Sequence, residues 1–146
     1  MNLLWSELFD GSLVESSLLV NFCQQNETIV LATLPALLSE LAGVSNFNEM
    51  FQLVNSCGGR KIYLPKNSTD FYKMSGVNLD SMAYQHWRRL ARVNGQVEVS
   101  SRWGVFLALR RAAIYQAMRA ETDSNDIVLS FGITQRQLRS IKNKFK

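Results

Sequence analysis

The side chains best suited to chemistry in this sequence are concentrated in its last segment, residues 124–146, which reads SNDIVLSFGITQRQLRSIKNKFK. Hydroxyl, amide, guanidinium and ammonium groups recur along a predicted helix there: Thr134, Gln135, Arg136, Gln137, Arg139, Ser140, Lys142 and Lys144. In the major groove of duplex DNA, such groups hydrogen-bond guanine, adenine and phosphate. The predicted chemistry is therefore DNA recognition, with the first half of the helix reading bases and Lys144 meeting phosphate.

Apolar spacing in the same segment predicts the two helices that would position these groups. Gly132 supplies a turn, Val128 lies four residues before it and Leu138 lies six residues after it. The apolar set is completed by Ile127, Phe131, Ile133, Ile141 and Phe145. With Thr134 as the N-cap of the second helix, the pattern is that of a helix-turn-helix. The alternative is a basic helical hairpin that packs on its own domain and binds nothing.

A longer helix, Arg102–Glu121, is predicted to support this pair, with Ser100 or Ser101 as its N-cap. Its core-spaced side chains are Val105, Phe106, Leu109, Ala113, Ala117 and Met118. Arg110 and Arg111 lie outside that face. They either contact phosphate or remain solvated and paired with nearby acids.

Charge divides the chain into two unlike halves. Residues 1–56 hold six acidic residues and no Lys or Arg, a net charge of −6. Residues 57–146 hold all 16 basic residues against the other six acidic ones, a net charge of +10. A basic surface favours a polyanion such as DNA, because binding releases the counterions of the nucleic acid. The acidic half suits protein contacts, and a merely solvated basic surface is the alternative.

The stretch CGGRKIYLPK at residues 57–66 predicts a helix end followed by a short strand. Gly58 and Gly59 end the helix and permit positive φ, and Pro65 stops the strand at what must be a sheet edge. A single strand in a helical chain needs a partner, and an identical strand across a two-fold axis is one choice. Residues 96–99 also alternate like a second short strand.

This stretch, preceded by a helix that ends in Leu-Val, resembles the Gly-Gly…Ile-Tyr-Ile-Pro-Lys signature of the Mor transcription activator family of bacteriophages and mobile elements. The resemblance covers residues 45–66 well. Over residues 110–146 it is limited to the helix-turn-helix pattern. The matching signature residues are Gly58, Gly59, Tyr63, Pro65 and Lys66. The family implies an N-terminal dimerisation domain, an intersubunit β-ribbon, a C-terminal DNA-binding domain and recruitment of bacterial RNA polymerase.

Three segments are therefore expected. They are an acidic helical dimerisation region at 1–66, a connector at 67–100 and a helix-turn-helix DNA-binding domain at 101–146. Within the first, Arg60, Lys61, Tyr63 and Lys66 are expected to hold the DNA backbone or minor groove beside the two-fold axis.

The sequence departs from the family in one respect. Family members pass quickly from the strand to the helix-turn-helix domain, whereas here residues 67–107 lie between them. Residues 67–76 are predicted to be a polar connector. A helix is predicted from Asn78 or Asp80 through Arg92.

Apolar spacing in the first segment predicts several short helices. They are placed at Leu3–Phe9, at Leu13–Phe22, after Asn26 or Thr28, from Pro35 to Leu41, and at Phe47–Asn55. In the last of these, Phe47, Met50, Phe51 and Val54 form a stripe typical of a core face, and also of half a dimer core.

Several classes of protein are disfavoured. Cys23 and Cys57 have no second Cys or His at ligand spacing, so buried reduced thiols are expected, without metal or cofactor. The start lacks a basic region, so no signal peptide is expected. The apolar run Thr28–Leu38 is too short to span a bilayer. The protein is expected to be soluble, in the cytoplasm and nucleoid of a bacterial host.

Catalysis is also not expected. A metal-dependent nuclease needs clustered carboxylates, and the acids of the basic half are scattered. Asp123 and Asp126 lie three residues apart, but at a helix start, where acids interact with the helix dipole. A DNA-targeted recombinase or nuclease is therefore disfavoured.

The sequence as a whole predicts a mainly α protein. Its predicted function is that of a homodimeric, sequence-specific DNA-binding activator of phage or mobile-element genes. A repressor, or a regulator that binds a partner through the acidic half, is the alternative, because DNA binding looks the same in both.

Overall fold

The computed structural model describes residues 17–145. Its helices are α1 (Ser17–Gln25), α2 (Glu27–Thr33), α3 (Ala36–Val44), α4 (Phe47–Cys57), α5 (Ser68–Ser75), α6 (Ser81–Arg88), α7 (Arg102–Arg119), α8 (Ser124–Phe131) and α9 (Gln135–Phe145). Two short strands, β1 (Lys61–Tyr63) and β2 (Gln96–Glu98), form one sheet. The predicted mainly α class is confirmed. The predicted helix at Leu3–Phe9 and the predicted helix start at Leu13 lie outside the described residues.

Helix α4 is the centre of the first part of the fold, where it contacts α1, α3, α5 and α7. It begins where predicted, because the Oδ1 atom of Asn46 accepts the backbone N–H of Glu49 at 2.9 Å. The predicted stripe of α4 is buried in full: Phe47, Met50, Phe51 and Val54. Within this chain, the stripe is therefore a core face.

Helix α7 joins this core to the last two helices. It begins as predicted, with the Ser101 hydroxyl oxygen accepting the Gly104 N–H at 3.0 Å. It packs against α2, α4 and α8, and its small buried side chains, among them Ala108 and Ala112, let these helices approach closely. Buried residues from Leu19 to Leu138 consequently form one continuous core. Among the helices of residues 17–145, none is long and apolar enough to cross a membrane.

The two strands pair with each other in antiparallel register, with Ile62 opposite Val97. The ladder continues beyond them, because the Val99 N–H donates to the Arg60 carbonyl at 2.9 Å and the Leu64 N–H donates to the Gly95 carbonyl at 2.8 Å. β1 is therefore not a strand without a partner in its own chain, because β2 pairs with it. Pairing of β1 with an identical strand of a second subunit stays a prediction.

The predicted polar connector at 67–76 is also corrected, because most of it is helix α5. Asn67 caps this helix by accepting the Asp70 N–H at 2.8 Å, and Gly76 ends it in the left-handed conformation. Phe71 is buried against Tyr84, with ring centroids 5.0 Å apart. The segment between β1 and α7 is therefore a packed part of the fold. The helix that follows ends at Arg88, earlier than predicted.

Candidate nucleic-acid interface

The last two helices are joined by a tight turn at Gly132, which has φ 64° and ψ 38°. This left-handed conformation strongly favours glycine. The predicted apolar set around the turn is largely buried: Ile127, Phe131, Ile133 and Leu138 fully, Val128 and Ile141 partly. The turn and its apolar contacts therefore hold α9 against α8 by one face and leave the opposite face to solvent.

The start of α9 is fixed by a reciprocal capping box. The Thr134 hydroxyl oxygen accepts the Gln137 N–H at 3.0 Å, and the Gln137 side-chain oxygen accepts the Thr134 N–H at 2.8 Å. The predicted N-cap is thus confirmed. Gln137 was also predicted to read bases, but its amide oxygen is used by the cap.

The exposed face of α9 carries Arg136, Arg139, Ser140 and Asn143. Their spacing of three, four and seven residues places them on one side of the helix, opposite Leu138. None of the four side chains makes a hydrogen bond or ion pair to another residue within 17–145. We call these four residues the outward stripe. Asn143 was not predicted as a site residue, although its helical spacing from Arg136 and Arg139 was a usable signal.

Two of the predicted contact residues instead tie α9 to the beginning of α8. The Gln135 amide nitrogen donates to the Asn125 side-chain oxygen at 2.9 Å. The Lys142 ammonium donates to the Ser124 hydroxyl at 3.1 Å. Both side chains lie on the same flank of α9, so they position the helix.

A groove of about 330 Å³ lies between α7 and α9. Its lining residues are Leu107, Arg110, Arg111, Ile114, Tyr115, Ile141 and Lys144. The structure therefore brings three predicted phosphate contacts, Arg110, Arg111 and Lys144, to one place. Burial and, second, the neighbouring charge of Arg111 lower the pKa of Arg110.

The other predicted contacts lie on the sheet, near the N-terminal end of α7. Lys61 and Tyr63 are exposed on its outer face, where Glu98 stands opposite Lys61. The Arg60 guanidinium donates to the Ser56 carbonyl, and Lys66 has an exposed side chain. These four residues lie along one extended segment, and none of them lines the groove or belongs to the outward stripe.

Side chains of helix α6 hydrogen-bond the end of this strand, which no pattern in the sequence predicted. The Tyr84 hydroxyl and the Arg88 Nε both donate to the Pro65 carbonyl, the second at 2.9 Å. The Gln85 amide donates to the Lys66 carbonyl at 2.7 Å. Burial, opposed by the charge of Arg88 and by a hydrogen bond to it, raises the pKa of Tyr84. This tyrosine is therefore a neutral hydrogen-bond donor.

Groups for metal or thiol chemistry are not assembled in the part of the chain that the structure describes. No three of its His, Cys, Asp and Glu side chains lie close enough together to hold a metal ion. Cys23 and Cys57 are buried free thiols, and burial raises the pKa of Cys23 to about 12. A reactive thiolate at Cys23 is accordingly disfavoured.

Comparisons of the chain with known protein families, with curated proteins and with solved structures found no match. The function is therefore inferred from the geometry described above.

Proposed function

We propose that this protein is a sequence-specific DNA-binding regulator of transcription that reads the major groove with α9. The observation that carries the proposal is the outward stripe, whose two guanidiniums, hydroxyl and amide lie on one helix face without a partner among residues 17–145. Arginine pairs with guanine and asparagine with adenine through two hydrogen bonds each. The capping box and the ties to α8 hold this face in a fixed orientation, which base readout requires.

The competing interpretation is a basic hairpin whose polar face only meets water. Two observations favour DNA. Helix α9 contains no acidic residue, so its cations have no partner along the helix. The cationic groove of Arg110, Arg111 and Lys144 also adjoins its C-terminal half. Positive charge clustered on two neighbouring helices is typical of a nucleic-acid-binding surface, whereas a merely solvated surface usually mixes both signs of charge.

The proposal extends to activation of phage or mobile-element genes through host RNA polymerase, which is what the resemblance of residues 58–66 implies. Lys61, Tyr63 and Lys66 are exposed and serve as secondary contacts to the DNA backbone. A homodimer belongs to the proposal because one short recognition helix contacts few base pairs. A two-fold dimer presents two such helices one DNA turn apart.

The dimer is tested by sedimentation equilibrium at micromolar concentration, alone and with DNA. For the protein alone we expect twice the monomer mass of 16.6 kDa, and for the complex two protein chains per duplex. A monomer under both conditions would remove the dimer from the proposal and leave base reading by α9 unaffected.

Base reading is tested by selecting binding sites from random duplex DNA. The wild type is expected to select one sequence. Arg136→Ala and Arg139→Ala are expected to relax single positions of it, each by about 1–3 kcal/mol. Lys73→Ala removes an exposed cation from α5 and serves as the control, with unchanged preference expected. Unchanged preference in both arginine variants, with folding intact, would show that α9 is not the reader.

A further inference from the structure

The groove between α7 and α9 has an apolar floor and a cationic rim. Leu107, Ile114 and Ile141 supply the floor, and Ile114 is 1% exposed. Arg110 and Arg111 come from α7 and Lys144 from α9. The site is therefore lined by two helices, and its shape depends on how α7 and α9 are held by α8, which contacts both.

The charge of this groove is not balanced by its own lining. None of the described residues that line it is acidic. Arg110 is half-buried, and burial together with Arg111 lowers its pKa. Partly desolvated arginines in proteins are usually paired with an anion. An anion entering the groove would relieve both the desolvation of Arg110 and its repulsion by Arg111.

Two features identify the kind of anion. A guanidinium presents a planar fork of N–H groups that matches two oxygens of a phosphate, and two adjacent arginines with one lysine suit a single such group. Lys144 also directly follows Asn143, the last member of the outward stripe. A DNA strand whose bases meet that stripe therefore has its backbone close to the groove.

We propose that the α7–α9 groove binds one phosphodiester of the same DNA that α9 reads. This inference rests on the proposed function and deepens it. Arg110 and Arg111 donate to the phosphate oxygens, and Lys144 approaches from α9. Because Arg110 is half-buried beside an apolar floor, its contact is expected to be stronger than that of a cation on an open surface. The bound phosphate joins α7 to α9 and fixes the orientation of the reading helix.

The test replaces single phosphates of the selected duplex, one at a time, by uncharged methylphosphonates. Binding is measured for the wild type, for Arg110→Gln and for Lys73→Gln as the charge-matched control. At one position, the replacement is expected to weaken binding of the wild type and the control by roughly ten-fold or more. The same replacement is expected to weaken Arg110→Gln by a clearly smaller factor, since its Arg110 contact is already lost and only those of Arg111 and Lys144 remain.

A second variant separates this role from an effect on folding. Arg110→Lys keeps the charge but loses the fork, so it is expected to bind between the wild type and Arg110→Gln while selecting the same bases. Thermal unfolding of all variants establishes that they are folded. Full wild-type affinity in Arg110→Gln, or a base preference altered by Arg110→Lys, would overturn the inference.

Two further outcomes would also overturn it. In the first, no methylphosphonate position distinguishes Arg110→Gln from the control, and base selection by α9 still stands. In the second, a mononucleotide saturates the groove of the DNA-free protein at micromolar concentration, while Arg110→Gln binds DNA normally. That result would assign the groove to a free phosphate ligand. A wild type that binds no duplex at all would overturn the proposed function as well.

Discussion

Residues 58–66 and helix α9 both carry cations, and both are prominent in the sequence, but the fold uses them differently. In 58–66, the Arg60 guanidinium donates to a carbonyl of α4, and the Pro65 carbonyl accepts from two side chains of α6. In α9, the outward stripe bonds to nothing else among residues 17–145.

A sequence pattern can be recognisable for two reasons: the fold requires its residues, or its residues form a binding surface. Gly58 is required because a β-carbon there would lie 2.3 Å from the Val54 carbonyl oxygen, which is a demand of the fold. Arg136 and Arg139 satisfy no such demand, because within the described part of the chain their side chains pair with no other residue. Free, oriented polar groups are the better indication of a binding surface.

The largest effect expected from this comparison is on stability, at Gly58→Ala. The added β-carbon would meet backbone oxygens of both Val54 and Ser100, at 2.3 and 3.1 Å. We expect the free energy of unfolding to fall by about 2–4 kcal/mol, measured by urea denaturation. Gly43→Ala is the control: nothing lies within 4 Å of the added carbon, and a gain of up to about 1 kcal/mol is expected in its helix. Equal stabilities of the two variants would contradict this account.

A smaller loss of stability is expected for Tyr84→Phe, which removes one of the two donors to the Pro65 carbonyl. Arg88 still donates to that oxygen at 2.9 Å, so the loss should be about 1–2 kcal/mol. DNA binding, measured by fluorescence anisotropy on the folded variant, should be unchanged. A loss of base preference without a loss of stability would give residues 58–66 a direct part in reading DNA.

Gln137→Ala is expected to remove one of the two hydrogen bonds of the capping box, the one that Thr134 N–H donates, and to reduce stability by about 1 kcal/mol. Base preference should persist, because the Gln137 oxygen is used by Thr134. Site selection and thermal unfolding of this variant measure the two effects separately. An altered base preference with an unchanged free energy of unfolding would show that Gln137 contacts bases.

The smallest effect is expected at Lys61→Ala. Glu98 stands opposite this lysine, and an exposed cation contributes little through water. Affinity for selected and scrambled duplexes should fall equally and by no more than a few fold, as shown by gel-shift titration. A loss confined to the selected duplex would identify Lys61 as a base contact.

Local signals in the sequence were enough to predict four helices. Asn46 and Ser101 cap α4 and α7, and Gly132 with Thr134 marks the end of α8 and the start of α9. These signals act within a few residues, so they can be recognised without knowledge of the fold.

Features that depend on distant residues were missed or misassigned. Helix α5 contains few apolar residues, and Phe71 is buried in a cluster with Tyr84 and Trp87 of α6, with ring centroids 5.0 and 5.5 Å away. The sequence indicated two strands, but not that they pair with each other, because α5 and α6 separate them in the chain. At the candidate site, the tie from Gln135 to Asn125 spans ten residues. No helical spacing predicts such a contact.

The central claim is that the outward stripe, rather than residues 58–66, makes the main contact with DNA. Amide NMR spectra of the labelled protein, recorded while the selected duplex is added, test this most directly. We predict that the largest shifts occur from Arg136 to Asn143 and around Arg110, with smaller shifts at residues 58–66. Unshifted α9 resonances in a saturated complex, with the largest changes elsewhere, would contradict the account.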